Sequence, residues 1–509
     1  MSVAFVPPLG EPQRPVPIHL QSLPARVCKF GLVCIACCLA SGPVASWPTV
    51  VPLLVKYNVF GSTSLTTTSE ESVANKELQD VCFNLVFNLA SSAALISSAA
   101  AGLAFDNLGP QICSIIGSLA AAAGLALSGL AVQYQALNSL LYVGYPLASA
   151  GGWSVAYAAY GYIWAFGNHR QNLIAGIGTA TTAISDSIII AGVFLDRDWL
   201  PFPYFLASMG IVSALSSIVF LYYVPSNREY LAAAEYAVME DMAAREREDS
   251  GSPRTSLLGQ AEAQETSRGE KREQLLAAVE LAHEQELPKR SCTEDLMDSY
   301  VAYRQYGGVN THFFLYILLV YCFVIVATNN QYIFYQSLAL DAKQLVNLYA
   351  VIYGFGGAIM YAISGRITDL LGLELYFALQ ILLVLGYGLA IFVPSFEIQI
   401  FAQLVQIFLL ASYNSVIFRW TIIYVPARLL GTFTGLQFAL IGLLQIAIVE
   451  AVQTAASLCY SDPLSSEFFL SQTSSLAALS ILVGVPLLLR LLATPPPEVG
   501  KVQLEADSR

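Results

Sequence analysis

Twelve stretches of this chain are each about twenty or more residues of largely apolar side chains, and this feature limits its fold more than any other. A helix needs about 20 such residues to cross the hydrocarbon core of a bilayer. Inside lipid only helices and closed barrels satisfy their own backbone groups. The first six runs are 27–55, 83–105, 112–132, 137–164, 173–195 and 202–224. The second six are 313–336, 345–367, 373–393, 398–423, 430–456 and 468–492. Only 12% of the 509 residues are charged, against about 25% in a soluble domain. The fold class that follows is all-α and integral to the membrane: twelve transmembrane helices in two six-helix bundles related by a pseudo-two-fold axis.

That division gives five parts: a tail at 1–26, a bundle at 27–224, a central loop at 225–311, a second bundle at 312–492 and a tail at 493–509. Inside the central loop, Glu/Ala-rich helical patterns at 230–249 and 270–286 flank a Gly/Ser/Pro break. It reads as a solvated linker carrying one or two surface helices, with a regulatory or docking loop as the alternative. Arg26, Lys29, Arg170, Arg366, Arg428 and Arg490 share one side of the membrane. Lys56, Lys76, Arg197 and Lys343 share the other, diluted by acids. The bias sets both termini and the central loop in the cytoplasm. The expected location is the plasma membrane rather than an internal one. Residues 1–25 are rich in proline and polar side chains and do not read as a cleavable signal.

The net charge is -12, much of it in the central loop, which speaks against nucleic acid as a partner. The nine cysteines have no metal-ligand spacing, and Cys34, Cys37, Cys38, Cys113 and Cys322 lie in apolar runs as small core residues. Cys82 and Cys459 fall near one membrane face, either paired or as two free thiols. His19, His169, His283 and His312 are scattered, and neither H-E-x-x-H nor G-x-S-x-G occurs. No cofactor, metal centre or enzymatic activity is expected.

An internal repeat supports the six-plus-six division. After the second run comes "GLAFDNLGPQ", with Gly102, Asp106 and Gly109; after the eighth comes "GRITDLLGLE", with Gly365, Asp369 and Gly372. Both fit G-x-x-x-D-x-x-G at the cytoplasmic end of the second helix of a half. Asp106 pairing with Arg170, and Asp369 with Arg428 or Arg419, would form a gate that breaks when the halves rock.

These loops resemble the motif G-x-x-x-D-R/K-x-G-R/K of the major facilitator superfamily. In the first copy Asn107 stands where a base is usual and Pro110-Gln111 replaces the basic tail. Within that superfamily the chain resembles solute carrier family 43 and the related apicomplexan amino acid transporters. The resemblance rests on "GPVASWPTVVPLLVKYNVF", "CFNLVFNLASSAALISSAAAGLAFDNLGP" and "AFGNHRQNLIAGIGTATTAISDS", and is thinner in the second half. It implies passive or weakly coupled movement of amino acids, with one branch moving nucleobases.

Several polar or helix-breaking positions inside the runs bear on a substrate. Gly42-Pro43 and Trp47-Pro48 near the middle of the first helix, with Ser46 between them, predict a kink or local unwinding. That backbone lines a cavity or packs against a neighbour. Asp186, near the centre of the fifth run with Thr182 one turn before it, is costly in lipid unless it faces water or a partner. It reads as a contact for a substrate ammonium or a proton, or as a structural hydrogen bond. Asn329, Asn330, Tyr413 and Asn414 should point into the bundle. Trp153, Tyr157, Tyr160 and Trp164 form a stripe that suits packing or flat rings. Glu450 is a candidate proton or rim site, with Gln437 and Gln445 on the same helix.

Together these features predict alternating-access transport of amino acids, large and neutral or else cationic. The expected partners are the small-molecule substrate and the lipid bilayer, with proton coupling left open. A nucleobase carrier on the same scaffold, or a non-transporting sensor or scaffold, are the alternatives.

Overall fold

The computed structural model describes residues 21–40, 47–61, 69–167, 170–196, 200–237, 292–305, 307–329, 334–335, 337–460 and 465–493. Its first half runs through α1 (Leu23–Ala40), α2 (Trp47–Lys56), α3 (Ser69–Leu108), α4 (Pro110–Gln133), α5 (Leu141–Val155), α6 (Tyr157–Tyr160), α7 (Gln171–Phe194) and α8 (Phe202–Tyr223). A short helix, α9, covers 227–237. The second half follows as α10 (Cys292–Gln305), α11 (Gly307–Asn329), α12 (Ala342–Val351), a π-helical turn (Ile352–Gly356), α13 (Gly357–Ala390), α14 (Phe396–Tyr424), α15 (Leu430–Ser457) and α16 (Ser466–Ala493).

Among the described residues, ten helical segments are long and apolar enough to cross a membrane. One of these, Ile352–Ala390, contains two crossings, because the chain reverses at Gly372 (φ 76°, ψ 178°). The fourth crossing is absent from the ten because it is divided at Ala156 into α5 and α6. These two additions bring the crossings to twelve. α3 begins at Ser69, well before its apolar run, since the polar residues ahead of Phe83 are also good helix formers.

Small residues let the crossings approach closely, as membrane helices require. A Cβ added at Gly124 would stand 2.2 Å from the Ala148 nitrogen, which fixes how tightly α4 and α5 pack. Hydroxyls satisfy backbone groups that lipid cannot. Ser213 on α8 donates to the carbonyl of Ala40, where α1 ends, at 3.2 Å. α8 starts with Pro203 in its first turn, where a missing N–H costs nothing. Asp341 caps α12 by accepting from Gln344 N–H at 2.9 Å. On the outside, Ile116, Ile211, Leu215, Leu382, Leu389, Leu482 and Leu489 are all exposed. In a molecule with these apolar helices such residues form the lipid-facing belt.

Candidate functional site

The two copies of G-x-x-x-D-x-x-G fold alike, and the glycines and the aspartate of the pattern have separate tasks. The last glycines, Gly109 (φ 89°) and Gly372 (φ 76°), turn the chain from one crossing into the next in a conformation that L side chains avoid. The first glycines lie where crossings of opposite halves touch. A Cβ at Gly102 would meet the Gly431 carbonyl oxygen at 2.0 Å, and one at Gly365 would meet the Asn172 carbonyl oxygen at 2.1 Å. Between them stands the aspartate.

Asp106 accepts from Gly431 N–H at 3.0 Å and from Thr432 N–H at 2.6 Å, the free donors at the start of α15. Asp369 accepts from Asn172 N–H at 3.2 Å, Asn172 Nδ2 at 2.9 Å and Leu173 N–H at 2.9 Å, at the start of α7. Thus each acid caps the fifth crossing of the other half. The capped helices enter alike, with N-cap residues Arg170 (φ -132°, ψ 7°) and Leu429 (φ -112°, ψ 7°). A carboxylate at a helix N-terminus gains from both the fixed N–H groups and the macrodipole. Two such contacts staple the halves together at one end of the membrane.

Sequence reasoning pairs the acids with arginines; the structure also sets both acids against helix ends. Arg170 is exposed. Arg428 lies 3.8 Å from the Asp298 carboxylate on α10. Arg419, on α14, is within electrostatic reach of Asp369 and of Glu374. A helix end offers donors already held in place, whereas a long arginine must lose rotamer freedom to make the same bond.

Further along the same seam, α7 meets the π-helical turn. A Cβ at Gly354 would stand 2.1 Å from Ser187 Oγ. Beside Ser187 is Asp186, only 4% exposed. It lies within electrostatic reach of Tyr349 on α12, Tyr353 in the π-helical turn and Tyr361 on α13. Tyr321 and Tyr413 extend the group, their ring centroids 5.4 Å apart. Phe438 of α15 joins Tyr413 to Trp153 of α5, at 6.3 Å and 5.6 Å, so the aromatic group spans both halves. Gln406 Nε2 donates to Thr328 Oγ1 at 2.9 Å, and Gln403 Nε2 donates to the Leu345 carbonyl at 3.0 Å. The buried Tyr413 hydroxyl and the Gln437 and Gln445 Oε1 atoms have no hydrogen-bond partner among the described residues. A carboxylate, phenols and amides at the seam can together hold an ammonium group and other polar edges of a small solute.

The other sequence-derived positions divide. Thr182 Oγ1 donates to the Thr179 carbonyl of its own helix at 2.7 Å. Asn414 Nδ2 reaches the Leu410 carbonyl at 3.3 Å. Trp47 packs among Phe83, Phe87 and Tyr145, with a centroid distance of 4.7 Å to the last. Glu450 is exposed. Gly42, Ser46, Asn330 and the side chain of Asn329 lie outside the described residues. Tyr157, Tyr160 and Trp164 are buried in the core of the first half, and Tyr160 also meets Phe418 across the seam at 4.5 Å. Cys82 and Cys459 are free thiols. Sequence reasoning missed Tyr349, Tyr353 and Tyr361. The signal for them was "YAVIYGFGGAIMY", with tyrosines spaced by four and then eight residues around a glycine-rich turn. π-helical turns of this kind are frequent at functional sites.

At the opposite end of the membrane, Lys56 Nζ lies 2.5 Å from Asp196 Oδ2. Tyr57 OH donates to Asp196 Oδ1 at 2.7 Å, and Phe202 N–H donates to the same oxygen at 2.9 Å. Burial alone raises a carboxylate's pKa, but these three partners outweigh it and hold Asp196 below its ordinary value.

No protein-family model matches the sequence, and no curated protein matches it. Solved structures do resemble it. The major facilitator superfamily proton:xylose symporter XylE, bound to 6-bromo-6-deoxy-D-glucose, aligns over 95% of this chain and 100% of its own, with a TM-score of 0.58 at 15% identity. A double-tryptophan mutant of XylE aligns over 95% and 98%, with a TM-score of 0.58 at 14% identity. The human organic anion transporter MFSD10 (TETRAN) aligns over 92% and 100%, with a TM-score of 0.56 at 12% identity. The chain has the major facilitator fold. The two stapled halves, the twelve crossings and the seam between α7 and α12–α13 are therefore parts of a two-bundle membrane architecture.

Proposed function

We propose that this chain is a membrane transporter that moves amino acids by alternating access, within the group that includes solute carrier family 43. The observation that carries the reading is Asp186, a buried acid on α7 set against tyrosines of the other half. A buried acid inside a membrane bundle is expensive unless it faces water or a partner, and such acids mark solute and ion paths. Here it sits where a solute would touch both halves at once. Its carboxylate takes the solute's ammonium, and the phenols and amides around it take the remaining polar edges. Large neutral amino acids suit the aromatic surroundings. A cationic amino acid is the second class, because Asp186 supplies negative charge. The carboxylate caps at Asp106 and Asp369 act as the inner gate, which opens when the halves rock apart.

The test is uptake into proteoliposomes of labelled leucine, arginine and adenine, with and without a pH gradient. The expected result is saturable uptake of an amino acid, lowered at least tenfold by Asp186→Asn, with stimulation by the gradient marking proton coupling. Uptake of adenine alone would favour the nucleobase carrier. Absence of uptake of every solute, or unchanged amino acid uptake in Asp186→Asn, would overturn the reading.

A further inference from the structure

The symmetry of the two seams reaches beyond the staples. Gly102 abuts the Gly431 carbonyl as Gly365 abuts that of Asn172. One helical turn further in, a Cβ at Gly435 would stand 2.1 Å from the Ser98 carbonyl oxygen, and one at Gly176 would stand 2.4 Å from that of Tyr361. α15 against α3 and α7 against α13 are therefore one seam built twice, in the same register. Fourteen residues beyond Asn172 stands Asp186; fourteen beyond Gly431 stands Gln445. Gln445 is the counterpart of Asp186, an amide in place of the acid. It is only 7% exposed although Leu443 and Leu444 beside it are open, and its Oε1 has no hydrogen-bond partner among the described residues. It shares a face of α15, within about 20°, with Phe438, which meets Trp153 of the first half and Tyr413 of the second. On α3, Ser91 precedes Asp106 by fifteen residues, as Gly354 precedes Asp369. Gly354 lies against Ser187, next to Asp186, so the symmetry sets Ser91 beside Gln445. Ser98 and Ser187 bond back to carbonyls of their own helices, whereas the buried Ser91 Oγ has no partner among the described residues.

We propose that Gln445, with Ser91, determines specificity by taking the end of the solute remote from Asp186, and that it selects a side chain ending in an N–H donor, as in lysine or arginine. The assignment rests on the reading that Asp186 holds the solute's ammonium. The two counterparts lie on opposite seams, so a solute that touches both is elongated. An amide oxygen and a hydroxyl oxygen are acceptors, and buried acceptors left bare cost free energy that a donor from the solute recovers. An apolar chain of the same length leaves both oxygens bare, and a site built to hydrogen-bond its ligand rejects the analogue that cannot. The amide also explains why the acid is not repeated. Two carboxylates at counterpart positions would set like charges against each other in the empty hollow, whereas one acid and one amide carry a single charge. Of the two amino acid classes, the cationic one therefore fits both seams.

The test compares uptake of labelled lysine and of norleucine, its analogue without the terminal amine, in proteoliposomes of the unaltered chain, Gln445→Leu, Gln445→Glu and Asp186→Asn. The unaltered protein should prefer lysine. Gln445→Leu should lower the lysine-to-norleucine ratio of kcat/KM at least about tenfold, the loss of one hydrogen bond to a charged donor, and Gln445→Glu should raise it. A ratio unchanged in both Gln445 variants, with uptake lost in Asp186→Asn, overturns this assignment alone, as does a preference of the unaltered protein for norleucine. Uptake of neither solute, or uptake indifferent to Asp186→Asn, overturns the reading of Asp186 and this assignment with it. A second measurement needs no transport. Gln445→Cys and Leu443→Cys are treated in nanodiscs with a trimethylammonium methanethiosulfonate, and the modified peptides are identified by mass. Modification at 445 with little at the exposed position 443 is expected. Modification at 445 no faster than at 443 would put Gln445 in a dry seam and overturn the assignment.

Discussion

Replacing Asp369 by asparagine tests the staple between the second and first halves. The carboxylate accepts three hydrogen bonds, two of them from the backbone N–H groups of Asn172 and Leu173. An amide keeps one acceptor oxygen and turns an NH2 toward a donor, so at least one charge-assisted bond is lost. Such a bond contributes about 1.5–3 kcal/mol, and charge at a helix end about 0.3–1 kcal/mol more. Because Asp369 is only half-buried, the lower part of the range applies, and about 2 kcal/mol is the working figure. That corresponds to about a thirtyfold shift toward the opened seam. Hydrogen exchange read on a peptide covering residues 170–176 should accelerate by about that factor in Asp369→Asn. If the two staples open together, the Gly431 and Thr432 amides accelerate as well. Unchanged exchange at the start of α7 would refute the capping argument. A uniform rise along the whole of α7 would point to general loosening and refute it equally.

Three further predictions follow from particular contacts. Gly372→Ala forces a side chain into a positive φ and should cost about 1–3 kcal/mol, read as a lower melting temperature. Gly109→Ala should cost more, because its Cβ would also stand 2.7 Å from the Asn227 nitrogen of α9, whereas at Gly372 the nearest atom is 3.6 Å away; equal losses would contradict this. At the opposite end, Asp196 has a lowered pKa in the folded protein, so its stabilising contribution is present above the ordinary carboxylate pKa near ~3.9 and is lost as pH falls through the lower folded value. Lys56→Met should therefore lower the melting temperature at pH 7, and the gap from the unaltered protein should close in acid. A gap independent of pH would show that the contact acts through packing alone.

The crossings and the repeat were legible in the sequence because both are local. Apolar length marks a membrane helix, and G-x-x-x-D-x-x-G repeats with fixed spacing in each half. The partners of its aspartates were not legible. Gly431 is 325 residues from Asp106 and Asn172 is 197 from Asp369, and a backbone N–H carries no signature in the one-letter code. Arginines are visible by their charge, and Arg419 is within electrostatic reach of Asp369. Asp186 stood out for the same reason, as a lone acid in an apolar run, whereas its neighbours Tyr349, Tyr353 and Tyr361 looked like ordinary membrane aromatics until α7 was seen to pass the π-helical turn. Trp47, conspicuous by its proline-rich surroundings, packs among three other aromatic rings, partners that its local sequence does not reveal.

The most direct measurement follows the two halves at the stapled end. Leu108 and Leu371 occupy matching positions in the two motif copies, and both are exposed. Spin labels carried there on unnatural side chains, in nanodiscs, report the separation of the halves by pulsed dipolar spectroscopy. A short distance is expected in the unaltered protein, with a second, longer population that grows in Asp106→Asn/Asp369→Asn. A single distance, the same in both proteins, would mean that the carboxylates do not hold the halves together at all.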